Sequence, residues 1–427
     1  MGDGAPSNSL EEQLALWRER VERHVAEVEQ RLREQAIELL QSGWPADQAV
    51  RIAEKRIFPL ERTGAGTAAW DRNEFGLVLA LAIGAAIVTK LPSLFGVRIE
   101  EAEGFYLRNL SFLVLPFLAA YFAWKRRLRA SLIWRLATVF AVAAVIANFY
   151  PFAPAGQTER LTALHLPIGL WITLGTAYAG DRWKKTAGRM EFIRFSGEFL
   201  IYYVLIALGG GVLMALMAML FQAIGINPEH WIQSWVLPCG AAGAVVIATW
   251  LAETQKGLVS HVAPMLARVF SPLFAGLLIC FLAVLLWTGR GINLQRNALI
   301  AFDLLLAAVL GLVIYTISSR DARTTPRALD LLPLILLTTA WIADTTALAA
   351  IAVRISEFGF SPNRTAALGE NLILLVNITW SAVLYVRFLR ARLPFSSLEN
   401  WQTRYLPIYA VWAAIVVIVF PPLFKFA

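Results

Sequence analysis

The sequence predicts an all-α fold: a polytopic membrane helix bundle of about 11 transmembrane helices, with a small cytosolic helical hairpin at the N-terminus. Three observations carry this expectation. From Phe75 onward, apolar stretches of roughly 20 residues, the length that crosses a bilayer core as a helix, recur between short polar loops. Hydrophobic residues make up 58% of the chain and charged residues 16%, and the mean hydropathy is +0.59, well away from a soluble domain. The formal charge of +8 is also unevenly placed, since residues 1–72 carry −3 and residues 73–427 carry +11.

Two domains follow: residues 1–72 in the cytosol and residues 73–427 in the bilayer. Residues 1–8 are rich in Gly, Pro, Ser and Asn and read as disordered. Ser9 and Glu12 form an S-x-x-E capping box that opens a long helix. Leu14, Trp17, Val21, Val25, Val28, Leu32, Ala36 and Leu39 step by three or four residues and make one apolar stripe. Glu19–Arg23, Glu27–Arg31 and Glu29–Arg33 are favourable i,i+4 pairs on the remaining surface. Gly43 stops this helix, and Pro45 starts a second one that runs to about Ile57. A hairpin this small buries too little apolar area to be robust alone. Its stripe calls for the second helix, a protein partner or self-association through residues 9–60.

The spans are expected at about 75–95, 105–124, 131–150, 161–179, 199–225, 231–252, 266–288, 297–317, 331–353, 366–388 and 405–424. Trp124, Trp171, Trp231, Trp235, Trp250, Trp287 and Trp401 sit near span ends and read as an interfacial belt. With the N-terminus cytoplasmic, the inward loops hold seventeen Lys or Arg and the outward segments seven, which places the C-terminus outside. The seventh span is the weakest, with Arg268 near its start and Pro264 and Pro272 interrupting it. The positive-inside bias accounts for the basic balance, so the lipid bilayer is the partner it implies, and no nucleic acid is expected. The polar N-terminus lacks the apolar core of a cleavable signal peptide.

Catalytic chemistry leaves no signature. Cys239 and Cys280 lie inside spans and offer neither a disulfide framework nor metal spacing. His24, His165, His230 and His261 are scattered, and no HExxH, CxxC or Walker-type loop occurs. No catalytic residue, cofactor or metal is expected.

Ionisable residues within spans are costly and are functional candidates by default. Asp303, Asp344 and Glu370 fall in spans eight, nine and ten. Counting from the expected span ends, they lie roughly 9, 13 and 6 Å below the outer surface. Their shared half of the membrane suggests one outward-facing ligand or ion site. Thr338, Thr339, Thr345 and Thr346 flank Asp344 but project to another side of the helix, and Asn371 and Asn377 add polarity to span ten. Arg364 is the fourth candidate. It follows Gly359 and Pro362, which break helix periodicity, and Ser361 and Asn363, which can cap a helix start. A cation in a first turn opposes the helix macrodipole. Arg364 therefore calls for an anionic partner: Glu357, Glu370, a lipid phosphate or an anionic ligand. Gly209, Gly210 and Gly211 in span five, and Pro238, Gly240 and Gly243 in span six, mark either close helix packing or broken helices.

Two resemblances add to this reading. The stretch from His24 to Ile57, with its charged helix, Gly-containing turn and PADQAVRIA start, resembles the prefix domain ahead of some bacterial ABC-transporter permeases and helical sensor modules. It implies a cytosolic regulatory or docking element. The stretches Arg194–Ile226, Ser271–Trp287 and Arg354–Asn377, above all FGFSPNR at Phe358–Arg364, resemble the bacterial polytopic membrane family catalogued as domain of unknown function 4153. That resemblance implies a multi-pass inner-membrane bundle and brings no activity. The leading function is a permease-like, transport-related protein with an outward acidic site and a regulatory hairpin. The alternative is a non-transporting scaffold or sensor that recruits a partner through the hairpin. Convergent acids favour the first, and acids paired privately on separate faces favour the second.

Overall fold

A computed structural model describes residues 72–98, 102–154, 156–223, 227–254, 271–280, 296–320 and 330–427, with isolated positions elsewhere. The chain divides into two units, Met1–Ala69 and Trp70–Ala427. In the first, Gln30, Arg33, Glu34, Ile37, Glu38, Leu40 and Gln41 are described, and all are helical. Gln30 Nε2 donates to Glu34 Oε1 at 3.0 Å, one turn along. The remainder of the expected hairpin, including the Gly43–Pro45 turn, lies outside the described residues.

The second unit is helical throughout, with no strand among the described residues. Its helices are α1 (Arg72–Leu94), α2 (Glu103–Lys125), α3 (Ala130–Phe149), α4 (Gln157–Ala179), α5 (Thr186–Ala223), α6 (Leu237–Thr254), α7 (Ser271–Cys280), α8 (Arg296–Ser319), α9 (Leu331–Phe358), α10 (Pro362–Leu389) and α11 (Ser396–Ile418). Eight of these, α1 to α6 with α9 and α10, are long and apolar enough to cross a membrane. The sequence leads one to expect about 11. Of the other three, α7 and α8 show shorter apolar stretches among the described residues, Ser271–Cys280 and Leu305–Ser319. Helix α11 spends its first turns on Glu399, Gln402, Thr403 and Arg404. Helix α5 starts thirteen residues before the expected span, because the charged stretch from Thr186 continues the same helix.

Packing forms two cores. In the first, α1 lies against α6, where small residues let the backbones approach: a Cβ on Gly243 would touch the Ala82 carbonyl at 3.7 Å. Aromatic rings from α2, α4 and α5 fill the adjoining space. Phe122 meets Tyr178 and Phe195 edge-on, and Tyr178 stacks on Phe195 at 4.6 Å. The second core joins α8, α9 and α10 through fully buried Leu306, Leu336, Leu337, Ala340, Ala343, Ile378 and Tyr385. Helix α11 packs along α4 and α10.

Polar contacts sort the helix ends onto two faces. At the basic end, Lys125 pairs with Glu74 at 2.6 Å, Arg126 with Glu253 at 2.7 Å, and Arg129 with Asp181 at 3.1 Å. Arg194 donates to the Ser318 carbonyl, Thr186 to Asn400 at 2.8 Å, and Arg320 pairs with Asp330 at 2.9 Å. At the far end, Arg108 pairs with Glu159 at 3.3 Å, and the Asn363 N–H donates to Gln157 Oε1 at 3.4 Å. Tyr150 donates to the Ile418 carbonyl, and the Thr158 N–H donates to the Ala427 carbonyl at 2.8 Å.

The two expected weak points behave differently. Before Pro238, residues Ile232–Val236 widen into a π turn. Proline has no N–H to donate, and one inserted residue in the ladder absorbs that loss. At Gly209, Gly210 and Gly211, helix α5 continues unbroken, and a Cβ on any of them would meet nothing within 4 Å. Neither a broken helix nor close packing among the described residues occurs there.

Candidate functional site: an acid–histidine cluster

The four candidates do not share one fate. Asp303 lies within electrostatic reach of both Glu370 and Asp344, and Arg364 stands apart. Helix α10 begins on Ser361, whose hydroxyl accepts the Arg364 N–H at 3.4 Å, with Pro362 in the first turn. The Arg364 guanidinium turns back and donates from Nη1 to the carbonyls of Phe358 and Gly359, at 2.9 and 2.6 Å, and lies over the Phe358 ring. Those carbonyls are the exposed C-terminal end of α9, which carries the negative end of its macrodipole. Arg364 therefore engages a helix terminus, and among the described residues it makes no ion pair.

Glu370 sits two turns further along α10, beside Asn371. Its Oε1 lies 2.6 Å from Nε2 of His165 on α4. His165 is buried, and its Nδ1 lies 2.8 Å from the Leu161 carbonyl of its own helix. A carbonyl oxygen only accepts, so Nδ1 carries a hydrogen. The short contact at Nε2 then needs one further proton, held either by the ring or by the carboxyl. The pair thus joins α4 to α10 through two titratable groups in direct contact.

The chain of contacts continues inward. Asn371, fully buried, donates from Nδ2 to Asp303 Oδ1 on α8 at 3.0 Å and to the Ala367 carbonyl at 2.8 Å. Asp303 lies within electrostatic reach of Glu370, and Asp344 on α9 lies within reach of Asp303. Asp344 is 0% exposed, and among the described residues neither of its carboxylate oxygens nor the buried Asn371 Oδ1 has a hydrogen-bond partner. The flanking threonines do not help: Thr338, Thr339, Thr345 and Thr346 all bond carbonyls of their own helix.

Depth gives the cluster a direction. Measured along the helices from the far end, His165, Glu370 and Asp303 lie roughly 10–12 Å in, and Asp344 roughly 21 Å in. Asp344 is deeper than its expected position because α9 runs on to Phe358, five residues past the expected span. Glu370 retains 30% side-chain exposure, whereas Asp344 has none. The acids thus run from a partly open level to a closed one at mid-helix.

A second polar group on α10 shows what a purely structural network looks like here. Asn377 accepts from Trp401, Gln402 and Ser381, and donates to Tyr409 at 2.6 Å. Gln402 also donates to Ser381 at 2.7 Å. The Asn377 and Gln402 amides are saturated, and Asp344 is not. Among the described residues no group of three potential metal ligands occurs.

His165 is the member that sequence reading passed over. Its one signal is that it is a titratable residue in span four at about the depth of Glu370 and Asp303. No family model, curated protein or solved structure matches the chain.

Proposed function

We propose that the chain is a permease-like, multi-pass protein of the bacterial inner membrane whose acid–histidine cluster takes a proton or small cation from the outer side and passes it inward. The observation that carries this reading is Asp344: fully buried, mid-helix, and with no hydrogen-bond partner at either oxygen among the described residues. A bare carboxylate in such a place is too costly to persist, so it holds either a proton or a cation. The contact between His165 and Glu370, with Asp303 in electrostatic reach of Glu370 and of Asp344, supports a route through these groups. The scaffold alternative calls for acids paired privately, and among the described residues Asp344 has no such pair.

Eleven crossings fit the sorted helix ends. Helices α6 and α8 both finish at the basic end, at Glu253 and Ser318. One further crossing therefore falls between them, where α7 lies. The positive-inside rule makes the basic end cytoplasmic, which leaves the N-terminus inside and the C-terminus outside. In this reading residues 9–60 remain a cytosolic regulatory hairpin.

The test is reconstitution of the full chain in liposomes with an internal pH dye and an imposed potassium diffusion potential. Wild-type protein should admit protons or, with a cation dye, sodium or potassium. Asp344→Asn should slow entry by at least about tenfold, which corresponds to about 1.4 kcal/mol on the barrier. Glu229→Gln, an exposed acid before α6, should leave it unchanged. Equal rates for wild type and protein-free liposomes with all three ions would rule transport out.

A further inference from the structure

The basic end holds a cavity of about 790 Å³ that the transport reading does not use. It is framed by the end of α2, the first half of α3, and the end of α4 with the turn that follows. Six cations line it, Arg126, Arg127, Arg129, Arg135, Arg182 and Lys184, against one acid, Asp181. Arg126 is held by Glu253, Arg129 by Asp181 and Arg182 by Glu191. Arg127, Arg135 and Lys184 have no ion-pair partner among the described residues. Trp183 stands at the same rim, where an indole favours the headgroup layer.

The other wall is apolar. Leu132, Leu136 and Val139 continue the cavity up α3. Val139 lies nine residues into that helix, roughly 13 Å along its axis. Helix α3 is also poorly covered by protein, with only 11% of its apolar window buried. Arg135 is exposed in the second turn of this spanning helix, a position from which a long cation reaches back to the headgroup level. The cavity thus presents uncompensated positive charge at the interface and an apolar wall directly above it.

We infer that this cavity is a binding site for an anionic phospholipid, with its phosphate held by Arg127, Arg135 and Lys184 and an acyl chain laid along Leu132, Leu136 and Val139. Free phosphate would use the cations and leave the apolar wall idle. A zwitterionic lipid would fit the wall and bring no net charge to the cations.

The test uses the purified full chain in mixed micelles carrying fluorescent phosphatidylglycerol or phosphatidylcholine. Wild type should retain phosphatidylglycerol over phosphatidylcholine, and inorganic phosphate should not displace it. The triple variant Arg127→Gln, Arg135→Gln, Lys184→Gln should lose phosphatidylglycerol affinity by about a hundredfold, at roughly fivefold per surface charge. Phosphatidylcholine retention should not change. A triple variant to Lys, Lys and Arg at the same positions keeps charge and should keep binding, which separates a lost site from a lost fold. Equal retention of the two lipids, displacement by inorganic phosphate, or unchanged affinity in the Gln variant would each overturn the assignment.

Discussion

The His165–Glu370 pair shows how much one carbonyl can decide. The Leu161 carbonyl engages Nδ1 of His165 at 2.8 Å, and that leaves Nε2 facing Glu370 at 2.6 Å. His165→Gln keeps a polar group of similar reach but cannot carry a proton. It should slow ion entry by about tenfold or more while leaving thermal stability within about 1 kcal/mol, since an amide still offers Glu370 a donor. His165→Ala should lose both, with a destabilisation of about 1–3 kcal/mol from the unpaired carboxyl. A liposome flux assay paired with thermal unfolding in detergent checks the contrast. At this scale the sequence was partly legible. The cost of charge in lipid singles out Asp303, Asp344 and Glu370 without a structure. It does not reveal their partners, because His165 lies in a distant span and a lone histidine has no spacing pattern. For Arg364 the macrodipole argument identifies the tension at the start of α10. The resolution, a turn back onto the end of α9, depends on how two helices meet.

At the scale of elements, glycine has opposite meanings at two places in the bundle. A side chain on Gly369, next to Glu370, would run into the Trp412 ring of α11. The same addition at Gly210 in α5 meets open space. Gly369→Val should therefore destabilise the bundle by about 1–3 kcal/mol through overpacking. Trp412→Leu introduced with it should restore part of that loss. Gly210→Ala should be neutral or stabilising by about 0.5–1 kcal/mol, because it removes backbone freedom from a helix interior. Thermal unfolding of the three variants measures both effects. Both sites look alike in sequence as small residues in an apolar helix. Helix existence was readable from apolar length alone, which is why α1 to α6, α9 and α10 fall where hydropathy puts them. Helix ends were less readable, since charged turns extend α5 and α9 beyond their apolar cores.

Across the whole molecule, the sorted ends set the sidedness of the site. Phe152, Asn363 and Ile418 belong to the far end, and Lys184, Asn400 and Arg392 to the basic end, as their neighbours' contacts and loop positions place them. With Cys239 and Cys280 replaced by Ala, single variants Phe152→Cys and Asn363→Cys should react with an impermeant maleimide in intact cells. Lys184→Cys and Arg392→Cys should react only after the membrane is opened. Labelling of all four from outside, or of the basic pair alone, would reverse or dissolve the sidedness. The overall class was fully readable from composition and periodicity. The convergence of α4, α8, α9 and α10 on one cluster was not, because it depends on which faces of four separated spans meet.

If the cluster binds ions, Asp344 is the buried carboxyl that holds a proton or gives it up to a cation. Dicyclohexylcarbodiimide, an apolar reagent that adds to protonated carboxyl groups, probes this directly on the full chain in vesicles, with peptide mass spectrometry to locate the adduct. The adduct should form at Asp344, vanish in Asp344→Asn, and decline as pH rises or as sodium or potassium is added. Glu370→Gln should blunt that decline, since Glu370 stands at the open end of the route. Adducts confined to exposed acids, or an Asp344 adduct indifferent to both pH and cations, would contradict the claim that this cluster is an ion-binding site.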